Sequence, residues 1–478
     1  MWCLLLLMLA AASGEETDPC ISSERNPYFQ FGDMTPYIFS NIDKPTMKTY
    51  VIPGCKPIAF WMLQRHGSHN PTAKEFEELP KLADLRNNIL SNYNQSNFRN
   101  SNHRICGDDL KLLKQWQWNT RINVTFAEDL TTQGYMMTQQ LAQTWKSRFP
   151  GLFSTTRTDY LFKFADDRRS MSSFKTFSEG LFGENPGSDI PKENDEKLLR
   201  PYKFCPTWVK TVAENNDTLS QVNIFESKMD YKQMLTNISL RLGFNYDLEK
   251  ETILQIYKMC RYNKAWEDTK NSPWCAAFTR EDLKRLEYAE DLAAYYKYGY
   301  GNPLNKDVGC TTVKDFMSFF ENYVGKDEKP ANVPRAVIQL TESPSLLTTL
   351  TAMGAHLDTA PLTGDNYHSA LVQSRKWTTS NISPYNANLV AVLHKCTQNG
   401  NFQVNEDYQV LFLENERPLD IAGCRVGLCD WSLVKNRFGD VANKCDLQFC
   451  NNANKLNGLS AISFAAISFI VRYAVTRI

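Results

Sequence analysis

The chain has 478 residues, its 53 Lys plus Arg are balanced by 53 Asp plus Glu, and its hydrophobic content is 42%. This length fits one large domain with an insertion or two domains, and the composition is that of a globular protein that can build a large core. The zero net charge argues against a nucleic-acid-binding protein, because such proteins usually have a basic excess.

The chain begins with a stretch typical of a secretory leader, MWCLLLLMLAAASGEE. Residues 4–9 form an apolar core, and residues 10–14 supply the small side chains found at cleavage sites. The basic side chain that usually precedes the core is missing, and a buried N-terminal strand or helix is the alternative interpretation. The pattern predicts a signal peptide over residues 1–14 and export through the secretory pathway.

Cysteine usage agrees with export. The chain has 13 cysteines, and Cys3 lies in the leader. The other twelve (13 less one) are an even number, which in an exported chain predicts disulfide bonds without indicating their connectivity. A zinc site is the alternative, but the sequence has no CxxC pair and only six histidines. The cysteine and histidine pattern therefore does not favour a zinc site.

Asn-x-Ser/Thr sequons also fit the secretory route, on which such asparagines receive glycans. Asn70 is blocked as a site because Pro71 follows it. The candidate glycosylation sites are Asn94, Asn123, Asn216, Asn237 and Asn381.

The first predicted element of the fold is residues 57–63, PIAFWML, a short apolar run without helical spacing that predicts a buried strand. The loop RHGSHNP follows it. Residues 131–149 predict a helix, because their apolar side chains recur at i, i+4 spacing and Pro150 follows them. Residues 159–165, DYLFKFA, predict a second strand, and another helix is expected to begin near Ser170.

Charged residues and helical patterns dominate residues 190–330. Within this region, Thr279 and Asp282 form a capping-box pattern at the start of a helix. Residues 335–352 also predict a helix. Two further strands are expected over residues 388–394 and 408–414.

Strands that alternate with helices predict an α/β fold with a mainly parallel sheet, and the helical block interrupts it as an inserted cap. No repeat and no low-complexity tract is present. The predicted organisation is a sheet domain over residues 15–189 and 331–450, a helical cap over residues 190–330 and a hydrophobic tail over residues 451–478.

The tail contains the apolar run GLSAISFAAISFIV at residues 458–471, shorter than the ~20 residues of a membrane span. Its length suits the removable part of a glycosylphosphatidylinositol signal, with attachment near residues 451–453. The alternatives are an amphipathic helix packed on the domain, or a short span from which Arg472 snorkels. We expect membrane attachment through this tail.

Four basic side chains are predicted to meet at the carboxyl ends of the strands, where open α/β sheets bind ligands. Arg65, His66 and His69 follow the first strand, and Arg169 follows the second at the start of a helix. An anion placed there would meet guanidinium groups and a helix N-terminus together. Neighbouring cations disfavour protonation of a histidine and leave a ring nitrogen free as a nucleophile. The set therefore indicates phosphoryl transfer to His66.

Phosphoryl transfer to a histidine also needs an acid that protonates the leaving oxygen. Residues 354–362 are GAHLDTAPL, in which His356 and Asp358 stand at i, i+2. In an extended segment such side chains point the same way. We expect His356 to hydrogen-bond the phosphate and Asp358 to be the acid.

These motifs resemble those of the histidine acid phosphatase family, most closely its multiple inositol polyphosphate phosphatase branch. The family signature is RHGxRxP with a late HD or HAE motif, and this chain has RHGSHNP and HLDT. Further similar stretches are DLTTQGYMMTQQLAQTWKSRFPGLFS, RSMSSFKTFSEGLF, YYKYGYGNPLNKDVGC and FLENERPLDIAGC. The resemblance covers about residues 50–450. The RHG triplet alone is shared with phosphoglycerate mutases, so the ordered set carries the resemblance.

The resemblance implies an α/β sheet domain with a helical cap, a transiently phosphorylated histidine and no cofactor. The implied substrates are small phosphorylated molecules, namely inositol polyphosphates such as phytate, with bisphosphoglycerate as a further candidate. The implied roles are nucleophile for His66, phosphate binding for Arg65 and Arg169, assistance for His356 and proton donation for Asp358.

Two residues depart from the family pattern. Asp358 is one methylene shorter than the family's glutamate, and His69 replaces an arginine that would offer the phosphate a permanently charged fork. Losing one such bond costs about 2–4 kcal/mol of transition-state stabilisation. Because histidine is charged only below its pKa of about 6.5, we expect weak activity that rises toward acid pH.

Several alternatives stay open at this point. A broad acid phosphatase and a catalytically impaired protein that binds a phosphorylated ligand are the other candidate functions. Lys74 and Lys163 are either contacts for additional substrate phosphates or solvated lysines.

Overall fold

A computed structural model describes residues 20–21, 27–41, 50–94, 104–184, 186, 189–326, 328–397 and 406–451. The predicted signal peptide, and the predicted tail beyond residue 451, lie outside these residues. Among the described residues, the structure contains no helix that is both long and apolar enough to cross a membrane.

A mixed eight-stranded sheet forms the centre of the described fold. Its strands are β1 (Cys55–Arg65), β2 (Tyr160–Phe164), β3 (Lys192–Glu193), β4 (Ala336–Thr341), β5 (Asn388–Cys396), β6 (Tyr408–Glu414), β7 (Arg417–Pro418) and β8 (Leu428–Asp430). The strand order is β3-β2-β4-β1-β5-β6-β7, and β8 pairs with β6. Strands β3, β2, β4 and β1 pair in parallel, and the pairs from β1 through β5 to β7 are antiparallel. The expected α/β fold with parallel pairing at its centre is present.

Helices surround the sheet. They are α1 (Ala73–Glu78), α2 (Leu82–Asn94), α3 (Gly107–Gln115), α4 (Thr132–Arg148), α5 (Arg168–Phe182), α6 (Glu196–Leu199), α7 (Pro206–Trp208), α8 (Ser220–Ser227), α9 (Met229–Arg241), α10 (Lys250–Trp266), α11 (Arg280–Tyr298), α12 (Leu304–Val308), α13 (Cys310–Glu321), α14 (Ser343–Met353), α15 (Ala370–Gln373), α16 (Thr379–Ile382) and α17 (Trp431–Asn443). Helices α6–α13 lie between β3 and β4, in the region predicted as a cap.

Local sequence signals place several of these elements as predicted. Strands β1, β2, β5 and β6 coincide with the four expected runs. Thr131 caps α4 by accepting a hydrogen bond from the Gly134 N–H. Thr279 and Asp282 form the expected capping box at the start of α11, in which each side chain accepts from the other residue's backbone N–H.

The prediction of one helix over residues 335–352 is wrong. The structure places strand β4 in the first part and helix α14 in the second. All six residues of β4 are buried, so the strand lacks the polar alternation that would distinguish it from a buried helix. Pro344 marks the change, because proline fits the first turn of a helix but would interrupt a longer one.

Both faces of the sheet are covered. Side chains from one face and from helices α8–α11, α13 and α14 form one continuous apolar core. Helices α4 and α5 cover the other face around Phe60, Trp145 and Phe162. The division of the chain into a sheet domain and a cap stays a prediction.

All twelve cysteines expected to pair do so, which settles the connectivity that the sequence left open. The disulfides are Cys20–Cys106, Cys55–Cys396, Cys205–Cys450, Cys260–Cys275, Cys310–Cys445 and Cys424–Cys429. The bonds of Cys205 and Cys310 join the helical region to the C-terminal end of the described chain.

The sequon asparagines differ in exposure. Asn94, Asn123 and Asn216 are exposed, whereas Asn237 and Asn381 are partly buried. The first three positions are therefore the most accessible of the five candidate sites.

A buried polar network connects three neighbouring strands to α13. The Asp315 carboxylate accepts hydrogen bonds from Trp61 Nε1 (2.8 Å), Gln339 Nε2 (2.6 Å) and the Lys163 ammonium (3.0 Å). Lys163 therefore pairs with Asp315. The two alternatives considered from the sequence were a contact to a substrate phosphate and a solvated lysine. Lys74 is exposed and pairs with Glu78.

We predict that Asp315→Ala lowers the free energy of unfolding by about 3 kcal/mol, because it leaves the Lys163 ammonium buried and unpaired. Urea unfolding with the disulfides intact measures the change. The control is Glu321→Ala at the exposed end of the same helix, for which we expect a change within about 0.5 kcal/mol. Equal effects of the two substitutions would contradict the structural role of the network.

Candidate active site

The carboxyl ends of three adjacent parallel strands bring the site together. His66 follows β1, Glu342 follows β4, and Arg169 lies in the first turn of α5, after β2. The backbone extends the pairing one residue further, because the His66 N–H donates to the Thr341 carbonyl at 2.9 Å. Residues distant in the sequence thus become neighbours at one edge of the sheet.

The loop after β1 packs unusually closely on the start of α4. A Cβ atom on Gly67 would lie 2.9 Å from the Gly134 carbonyl oxygen, and one on Gly134 would lie 2.1 Å from the Ser68 carbonyl oxygen. The Gly67 N–H donates to Ser173 Oγ on α5 at 3.1 Å. Both glycines are therefore needed for space, and the loop is held from two helices.

His66 is buried and has the tautomer required of a nucleophile. Its Nδ1 lies 3.0 Å from the Gly67 carbonyl oxygen, which can only accept, so Nδ1 carries the proton. Nε2 then has the free lone pair. Burial lowers the pKa of His66 well below its usual value, and the charges of Arg65 and Arg169 lower it further.

Arg65 is fixed by groups on both sides. Its Nη1 donates to the carbonyl oxygens of Ser383 (2.6 Å) and Asp33. Its guanidinium lies over the Tyr385 ring, 4.8 Å from the centroid, and Nη2 is 3.7 Å from the Asp33 carboxylate. The positive charge is thus held in one position beside His66.

Arg169 is held more loosely. Its Nη2 lies 3.6 Å from the Glu128 carboxylate and 4.0 Å from that of Glu342, and its Nε lies 3.7 Å from Asp167. The buried Nε has no hydrogen-bond partner among the described residues. At these separations the guanidinium keeps N–H donors to which a phosphate oxygen can bind.

His69 lies beside His66, with 5.1 Å between ring centroids. Its Nδ1 donates to the Asn70 carbonyl oxygen at 2.8 Å, so the neutral ring offers only an acceptor at Nε2. Burial and then Arg169 lower the pKa of His69 to about 3. The ring of the free protein is therefore neutral throughout pH 5–8. Protonation of His69 thus gives no reason to expect the rise in activity toward mildly acid pH that the sequence predicted.

The structure gives His356 and Asp358 other partners. His356 has a positive φ of 56° and lies 2.8 Å from the Glu414 carboxylate. Burial alone would lower the pKa of His356, but this carboxylate outweighs it and the pKa is raised. Asp358 accepts hydrogen bonds from the backbone N–H groups of Lys376 (2.7 Å) and Trp377 (3.1 Å).

The two side chains therefore diverge, because the left-handed backbone at His356 breaks the extended geometry that the i, i+2 argument assumed. That Asp358 donates the proton stays a prediction. The alternative is a structural role, in which its two hydrogen bonds stabilise the loop.

Glu342 is the carboxylate that the sequence analysis missed. It directly follows the last residue of β4. Lys203 Nζ lies 2.7 Å from its Oε1. Burial alone would raise the pKa of Glu342, but hydrogen bonds from Lys203 and Tyr202 outweigh it and the pKa is lowered. A strand prediction at 336–341 would have pointed to this residue. Asp33 had no comparable sequence signal.

Comparisons with known proteins show the family to which this chain belongs. The chain belongs to the histidine phosphatase superfamily (branch 2), whose family model matches residues 60–410. It is 34% identical to multiple inositol polyphosphate phosphatase 1 of Drosophila melanogaster over 97% of this chain and 98% of that protein. The Homo sapiens protein of the same name is 29% identical, with 92% of each chain covered.

The fold is also that of a solved structure, the Bifidobacterium longum multiple inositol polyphosphate phosphatase in complex with inositol hexasulfate. The TM-score is 0.61 at 12% identity, and the match covers 88% of this chain and 98% of that chain. The predicted family and fold are confirmed, and the protein is a phosphatase by family.

We predict that His69→Arg raises kcat/KM for a phosphate ester by about two orders of magnitude, because arginine restores a charged donor. The gain should be equal at pH 5 and pH 7, since the His69 of the free enzyme is neutral at both values and kcat/KM reports the free enzyme. The control is His368→Arg at an exposed histidine. A gain confined to pH 7 would mean that His69 is charged at pH 5.

Proposed function

We propose that the protein hydrolyses inositol polyphosphates through a phosphohistidine on His66, at a low rate because His69 replaces a charged donor. The observation that carries this proposal is the state of His66. It is a buried, neutral imidazole with its proton on Nδ1 and its Nε2 lone pair free, between two guanidinium groups. A neutral nucleophile among cations is the arrangement that attack on an anionic phosphate requires.

The residues divide the reaction between them. Arg65 is pre-positioned, and Arg169 has unsatisfied donors, so both would bind the phosphate oxygens. Nε2 of His66 attacks phosphorus and forms an N–P bond while the ester P–O bond breaks, and the leaving oxygen takes the bonding electron pair and a proton, for which Asp358 is the predicted donor. Water then attacks the phosphohistidine, releases inorganic phosphate and returns the lone pair to His66.

The substrate class rests on the relatives, whose names specify inositol polyphosphates. A broad acid phosphatase is the second candidate, and the neutral His69 favours a third, an impaired protein that mainly binds its phosphorylated ligand. Comparison of turnover on phytate and on an aryl phosphate separates the three.

We predict that His66→Ala abolishes turnover and covalent labelling, because it removes the Nε2 lone pair that is proposed to attack phosphorus. Incubation with ³²P-labelled substrate and an alkaline quench, which preserves the acid-labile N–P bond, measures the labelling. His368→Ala is the control and should label as the native protein does. Label retained in His66→Ala would exclude His66 as the nucleophile.

We also propose that the protein travels the secretory route and is held at the cell surface by its C-terminal tail. The leader-like first residues, the six disulfides and the exposed sequons support export. We expect a phosphatidylinositol-specific phospholipase to release the full-length gene product from animal cells, because the tail has the features of a removable anchor signal. A secreted chain whose mass includes Ile478 would contradict this anchor.

A further inference from the structure

Glu128 lies at the edge of the candidate site in an unusual backbone conformation. Its φ of 61° is in the left-handed region, which side chains other than glycine, asparagine and aspartate rarely adopt. A residue keeps such a conformation only where its surroundings fix it, and such residues cluster at active sites and ligand-binding positions. This conformation points to a role for Glu128 at the neighbouring site.

Main-chain hydrogen bonds tie the segment that carries Glu128 to the loop after β1. The Glu128 N–H donates to the Pro71 carbonyl at 3.1 Å, and the Asn70 N–H donates to the Asp129 carbonyl at 2.8 Å. The same two segments also pair through an isolated β-bridge at His69. The backbone of Glu128 is therefore fixed relative to the loop that carries the two site histidines.

The Glu128 side chain reaches the guanidinium of Arg169. Its Oε1 lies 3.6 Å from Arg169 Nη2, which is within ion-pair range but too long for a hydrogen bond. In the part of the chain that the structure describes, Arg169 is the only cation paired with Glu128. Because 41% of the Glu128 side chain is exposed, it has room to swing into the solvent. An incoming anion can therefore open this pair.

The other two carboxylates near Arg169 are engaged by closer partners. Asp167 lies 3.7 Å from Arg169 but caps α5 through a backbone hydrogen bond of 2.9 Å. Glu342 lies 4.0 Å from Arg169 but 2.7 Å from the Lys203 ammonium. Of the three carboxylates, Glu128 is thus the one whose pairing depends on Arg169.

We infer that Glu128 is a specificity-determining residue that competes with the substrate phosphate for Arg169. In the free protein its carboxylate is paired with this guanidinium, and in the complex it is a negative charge beside the bound phosphate. It therefore weakens binding most for substrates that carry many phosphate groups. This inference rests on the proposed function, because it uses Arg169 as a phosphate-binding residue. It adds a carboxylate that sets how strongly polyanions are bound.

The physical reason is repulsion between like charges. A phosphate ester carries a charge of about −1.5 to −2 near pH 7. One like charge a few ångströms away in partly exposed surroundings weakens binding about tenfold, which corresponds to about 1.4 kcal/mol. An inositol with several phosphates brings more than one such group within the screening distance of Glu128, whereas an aryl phosphate brings a single group.

The first test measures the binding of inorganic phosphate to the full chain by isothermal titration calorimetry. Glu128→Gln removes the charge and keeps the shape and the backbone hydrogen bonds, so we expect Kd to fall about tenfold. Glu128→Gly also removes the carboxylate and suits the positive φ, and it should bind as tightly as Glu128→Gln. The control for loss of one charge is Glu193→Gln, at an exposed position on β3. An unchanged Kd in both Glu128 variants would overturn the inference.

The second test compares turnover of phytate and of an aryl phosphate. In Glu128→Gln we expect KM to fall more for phytate than for the aryl phosphate, with kcat unchanged for both. This split is expected because the repulsion acts equally on the bound substrate and on the transition state. Glu128→Asp keeps the charge, so it should behave as the native protein does.

The outcomes separate this inference from the proposed function. Equal falls of KM for the two substrates, or a change confined to kcat, would overturn the specificity role of Glu128. Turnover that survives in His66→Ala would instead overturn the proposed function. The calorimetric comparison needs no turnover, so its result bears on Glu128 alone.

Discussion

The parallel pairing of β4 with both β1 and β2 is the constraint on which the site depends. Parallel neighbours end at the same edge, so the residues after three strands meet without any contribution from their side chains. Main-chain hydrogen bonds continue past the strands, from His66 to Thr341 and from Ala165 to Leu340. The relative positions of the basic groups are therefore set by the ladder, and the packing of Gly67 against α4 fixes the loop that carries them.

Burial beside fixed cations has opposite consequences for the two neighbouring histidines. It keeps His66 neutral and leaves a lone pair for attack, which favours catalysis. The same surroundings keep His69 neutral and leave it only an acceptor at Nε2, which in the proposed function weakens binding of the transition state. The arginines resist this effect, because a guanidinium stays charged where an imidazole does not. One electrostatic environment thus explains both the nucleophile and the low activity that we propose.

Sequence reasoning succeeded where the signal is local. The apolar run of β1, the cap of α4 and the capping box of α11 are read from residues close together in the chain. It failed at residues 335–352, because a fully buried strand has no polar alternation and resembles a buried helix over so short a length. That error concealed Glu342, and the i, i+2 argument for Asp358 assumed an extended backbone that the positive φ of His356 excludes.

The sequence by itself determined the family, the nucleophile candidate and the basic residues that follow β1 and β2, because these features belong to short contiguous motifs. Only the tertiary structure decided which carboxylates face them. The order of strands in the sheet differs from their order in the chain, and the insertion of β4 between β1 and β2 brings Glu342 to Arg169. Asp33 reaches Arg65 from a separate segment. Such contacts depend on the path of the whole chain, which no local pattern specifies.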